Sequence, residues 1–93
     1  MLRAQRGGRK IGILCEVKPG PFSGEKLVSF ETIDGPVTGF AQEHDLAQVG
    51  GNKWYVRALV INVRGDVVTV RVEGSFFNTN GLAHIRREMA LAA

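Results

Sequence analysis

The stretch NKWYVRALVINVRGDVVTVRVEG, Asn52 to Gly74, constrains the fold more than any other part of the chain. β-Branched apolar residues alternate with other types on both sides of Arg64-Gly65-Asp66, which is the period of strands and not of helices. With Gly65-Asp66 as a two-residue loop, Arg64 falls opposite Val67 and Val63 opposite Val68. Ile61 then faces Val70, and Leu59 faces Val72. That face is wholly aliphatic, so it is expected to look into the core. The other face pairs Asn62 with Thr69, Val60 with Arg71 and Ala58 with Glu73, a half-polar set suited to partial exposure. Arg-Gly-Asp also spells an adhesion tripeptide, but the turn alone accounts for these residues.

Three further strands follow from the same period. Ile11, Ile13, Cys15 and Val17 alternate with Gly12, Leu14, Glu16 and Lys18, which gives a first strand with one buried face. After VKPGPFSG, a second strand runs from Lys26 to Thr32 and a third from Val37 to Gln42. Pro36 lacks the N–H that a tight Asp34-Gly35 turn would use, so Ile33 to Pro36 reads as a looser four-residue loop. The expected register sets Thr32 opposite Val37, Phe30 opposite Gly39 and Val28 opposite Ala41. Near the C-terminus, Asn80 can cap, and Leu82, Ile85 and Met89 recur at helical spacing among good helix formers. This predicts a short helix over about 81–91, with a final strand at Leu82 to Ile85 as the competing reading.

Five strands with no helical crossover must pair antiparallel, and so small a sheet hides its core by curling. The expected fold is mainly β: a five-stranded barrel or roll, SH3-like in first place and OB-like in second, with a short C-terminal helix. At 93 residues there is room for one core, so residues 11–93 read as a single domain and residues 1–10 as a flexible basic arm. No apolar stretch has the length of a signal peptide or a membrane span, and a cytoplasmic, non-membrane location is expected. Cys15 is alone, on the buried face, and reads as an inert core thiol. No metal or other cofactor is expected.

The net charge of +3 is unevenly placed. Arg3, Arg6, Arg9 and Lys10 stand in the arm without an acid, which leaves 8 basic residues against 9 acidic in the rest. Four such cations would give a log–log salt slope of about −3 to −4 on a nucleic acid. Gly12, Gly20, Pro21, Phe22 and Gly24, in GILCEVKPGPFSG, resemble the KOW motif of ribosomal proteins and transcription elongation factors. The resemblance covers residues 12–28 and implies an SH3-like barrel that meets RNA or protein partners partly through its loops. Ile13 stands where the motif has an acid, and Leu27 or a neighbour where it has a later glycine.

No catalytic constellation can be assembled: His44 and His84 lie far apart, and neither has a nucleophile placed with it. A non-enzymatic binding or assembly module is therefore expected. The candidate protein interface is Trp54, Val56 and Val60, on the less aliphatic face of their strand. That face either meets a partner, most simply a second copy of the chain, or is covered by Leu82, Ile85 and Met89. The alternative is an RNA- or DNA-binding domain that uses Arg3, Arg6, Arg9 and Lys10 together with Phe22 in the Pro19–Gly24 loop.

Overall fold

The computed structural model describes residues 9–72, 75–76 and 81–92. Among them, nine strand segments form one antiparallel, curled sheet. They are β1 (Lys10–Pro19), β2 (Glu25–Thr32), β3 (Gly35–Gln42), β4 (Leu46–Val49), β5 (Lys53–Arg64), β6 (Val67–Val72), β7 (Ser75–Phe76), β8 (Leu82–Arg86) and β9 (Ala90–Ala92). The order is β7-β3-β2-β1-β5-β6-β8, with β4 also on β5 and β9 also on β1. The sheet bends back on itself until the Ile33 N–H donates to the His84 carbonyl at 2.9 Å, bringing the β2–β3 turn against β8. Alternate residues from both halves fill the inside of this curl, with Ile13, Val28, Val56, Val70 and Ile85 fully enclosed. The five expected strands are present, but the strand count is higher than five: β4, β7 and β9 are additional short segments, and β8 is the competing reading of Leu82 to Ile85 as a final strand.

β5 departs from its expected register. Arg64, Val63 and Asn62 pair with Val67, Val68 and Thr69 as expected, but Val60 then pairs with Val70 and Ala58 with Val72. Ile61 is an extra, unpaired residue, a β-bulge that swaps the two faces of the strand below it. Val60, Ala58 and Val56 therefore face the core, whereas Ile61 is 44% exposed and Leu59 half-buried. The physical reason is that β5 has two anchors in different phase. Its hairpin end is set by the Gly65-Asp66 turn, while its other end pairs Val56 with Ile13 and Ala58 with Ile11 on β1. One inserted residue reconciles the two.

The β2–β3 turn is tighter than expected. Thr32 pairs with Gly35 and Phe30 with Val37, which leaves only Ile33 and Asp34 in the loop. Thr32 Oγ1 donates to the Gly35 carbonyl at 2.7 Å and accepts from the Asp34 N–H at 3.0 Å, so the side chain braces the turn. Pro36 falls opposite Glu31, at a pair from which the ladder requires no N–H. The shift of two residues keeps every side chain on its expected face.

The C-terminal helix is absent. Leu82–Arg86 is strand, Arg87–Met89 a single 3-10 turn, and Ala90–Ala92 strand again, with Asn80 outside the described residues. Ala83 and Ile85 are buried while Leu82, His84 and Arg86 are exposed, a period of two. Pairing with the edge of β6 outweighs the helix propensity of LAHIRREM, since propensity is worth only tenths of a kcal/mol per residue.

Candidate polyanion-binding face

Val56 is 0% and Val60 7% exposed, and Trp54 packs half-buried against the same core. The apolar set nominated as an interface is thus enclosed by its own chain, because the bulge turns that side of β5 inward. No surface patch is left at Val56 and Val60.

Of the nucleic-acid candidates, Arg3 and Arg6 lie outside the described residues, while Arg9 and Lys10 are exposed at the start of β1. Phe22 is 73% exposed on the loop after β1. That loop is closed by two backbone bonds, Gly20 N–H to Glu25 O at 3.0 Å and Glu25 N–H to Phe22 O at 3.1 Å. A Cβ on Gly20 would stand 2.5 Å from the Glu25 carbonyl oxygen, so the loop closes only on glycine. A third bond, Glu43 N–H to Gly24 O, ties it to the acidic Glu43–Asp45 turn. β1 is ten residues long, about 30 Å when extended, so its two ends present the arm and the loop far apart. The loop's charged neighbours are mixed, Lys18 and Lys26 beside Glu25 and Glu43, and Arg9 and Lys10 stand at the other end of β1 from Phe22.

A different constellation emerges on the outer face of β1, β5, β6 and β8. Cross-strand partners share a face, and one row reads Lys10, Leu59, Arg71, Leu82. Beyond the bulge come a row of Asn62, Thr69 and His84 and a row of Arg64, Val67 and Arg86. Lys10, Arg64, Arg71 and Arg86 are exposed, and no acid stands in these rows. Among the described residues the ion pairs are Lys26–Glu43 and His44–Asp45, neither of them on this face. Arg57 borders it, its Nε donating to the His44 carbonyl at 3.3 Å. Thr69 Oγ1 and His84 Nδ1 share a hydrogen bond at 2.8 Å in the middle row. Cations thus stand on either side of a row of hydrogen-bonding groups. Four residues of β6 separate the charged rows, about 13 Å.

Five of the acids lie off this face. Glu25, Glu31 and Asp34 lie on the β2–β3 hairpin, and Glu43 and Asp45 on the turn after it. Glu16 lies further along the outer face of β1, and Asp66 and Glu88 line a hollow with Val67 and Arg86 at the edge of the cationic rows. The alternation Val67, Thr69, Arg71 against Val68, Val70, Val72 already carries part of this signal. Arg86 could not be added while its segment read as helix, nor Lys10 while it read as arm.

The remaining titratable candidates are inert or exposed. Burial pushes the Cys15 thiol up to about 12, opposed in part by a backbone hydrogen bond from Val56. Such a thiol is no nucleophile at neutral pH. His44 is exposed, 3.5 Å from Asp45 on the 3-10 turn. Among the described residues no group of His, Cys, Asp and Glu has a metal-ligand arrangement, and no helix is long and apolar enough to cross a membrane. Comparison with family models, with curated proteins and with solved structures finds no match for this chain.

Proposed function

We propose that the chain is a non-catalytic nucleic-acid-binding module that holds single strands on the outer face of β1, β5, β6 and β8. The observation that carries this reading is the gathering of Lys10, Arg64, Arg71 and Arg86 on one sheet face, without an ion pair among the described residues. The preference for single strands comes from dimensions. Four strands span about 14 Å between outer axes before side chains are counted, too broad for a duplex groove about 12 or 6 Å wide. An unpaired strand can lie across the face, its phosphates on the arginines and its base edges on Asn62, Thr69 and His84. Arg3 and Arg6 precede Lys10 in the sequence and add to the positive charge of the chain.

We read the curl as an SH3-like barrel, supported by the 3-10 turn Arg87–Met89 and by a last strand that returns to β1. This agrees with the resemblance at residues 12–28. The test is titration of single-stranded RNA, single-stranded DNA and duplex against the full chain and against Arg71→Glu/Arg86→Glu. Both positions are exposed, so the fold should survive the change. Single strands should bind the wild type and weaken about tenfold or more in the variant. Equal binding of duplex would remove the single-strand preference, and equal binding by the variant would remove the face.

Phe22 favours a second reading, a protein contact. A loop closed by backbone hydrogen bonds that presents a 73% exposed aromatic suits a protein partner. Self-association through it would appear in sedimentation as a dimer that Phe22→Ser abolishes.

A further inference from the structure

Among the described residues, the core side of the sheet is incompletely covered where β5 and β6 turn. Ile11, Val60 and Val68 are buried there, yet Val63, the partner of Val68 on the same face, remains 41% exposed. Between them lies a depression of about 210 Å³, completed by Ala90, Arg9 and Arg87. It lies on the inner side of β5 and β6, away from the outer rows of Arg64, Arg71 and Arg86.

Both cations at its rim are held through the backbone. The Val60 N–H donates to the Arg9 carbonyl at 2.8 Å, and the Arg87 N–H donates to the Asp66 carbonyl at 2.7 Å. Arg87 Nη2 also donates to the Gly65 carbonyl at 3.0 Å, which uses one of the five guanidinium N–H groups. None of the lining residues is acidic. An apolar floor lined by two arginines is complementary to a ligand with an apolar body and one anionic end. The volume, that of about seven waters, suits one side chain or a short acyl group and is too small for a lipid tail.

We propose that this depression binds a short apolar carboxylate, its body against Val63 and Val68 and its anionic end on Arg9 and Arg87. A free acid and the C-terminal residue of a peptide share this chemistry, and the test separates them. The full ¹⁵N-labelled chain is titrated with hexanoate, with hexanamide, and with a tripeptide ending in Leu with a free or amidated carboxyl. Hexanoate or the free peptide should shift the amides of Val60, Val63, Val68 and Ala90, with the matching amide weaker by about tenfold. Arg9→Gln should weaken the acid by about fivefold, the upper range for one partly exposed ion pair. Val63→Asp, at an exposed position, should abolish the shifts and leave the rest of the spectrum in place. Tighter binding of the peptide would assign the site to chain termini, and tighter binding of hexanoate to free acids. Equal shifts from acid and amide, shifts that map elsewhere, or none up to about 10 mM would overturn the proposal. Each outcome is independent of whether nucleic acid binds the outer face.

Discussion

Gly20 and Cys15 show how much one atom or one proton decides here. Adding a methyl group at Gly20 sets a Cβ against the Glu25 carbonyl oxygen, and backbone has to move to make room. Gly20→Ala is expected to cost about 1–3 kcal/mol, read as a lowered denaturation midpoint. At Cys15 the fold favours the neutral thiol, with an ordinary value of 9.0 raised to about 12. The stability this contributes is complete below pH 9.0 and is lost as pH climbs toward about 12, because the unfolded chain ionises first. The difference in stability between wild type and Cys15→Ala should therefore narrow over that interval and stay flat below it. A difference that is constant across the interval would contradict the burial of Cys15.

The bulge in β5 is the element on which the core depends, and its neighbours give opposite expectations in the two registers. With Ile61 extruded, Val60→Ala opens a cavity and should cost about 2 kcal/mol, while Ile61→Ser should stay within about 0.5 kcal/mol. An unbroken ladder would reverse that order, and urea titration of the two variants distinguishes them. The alternation of β1, β2, β3 and β6 was legible from the sequence because each has one phase along its length. β5 was only half legible: both anchors of its phase can be read, but the residue at which they are reconciled depends on pairing with β1, distant in sequence. The last strands failed for the related reason that LAHIRREM carries helical propensity, whereas its partner edge on β6 is a property of the assembled sheet. The same two failures displaced the site. An unbroken register turns Val56 and Val60 outward, and a helix over 81–91 keeps Arg86 off the sheet.

Taken whole, the molecule brings together cations that its sequence scatters: Lys10, Arg64, Arg71 and Arg86 meet in two rows on the outer face of β1, β5, β6 and β8, with Glu16, Asp66 and Glu88 at the margins. Arg71 and Arg86 belong to that face only because β6 and β8 pair as they do. A face with four phosphate contacts should lose affinity for a single strand with a log–log salt slope of about −3. Neutralising the arm by Arg3→Gln and Arg6→Gln should weaken binding without abolishing it, since the folded face remains. The most direct test is the salt dependence of single-stranded RNA binding, measured for the wild type and for Arg71→Glu/Arg86→Glu. The account predicts a slope near −3 that falls to about −1.5 or shallower in the variant, with weaker binding at every salt concentration. Identical slopes and affinities for the two proteins would contradict it.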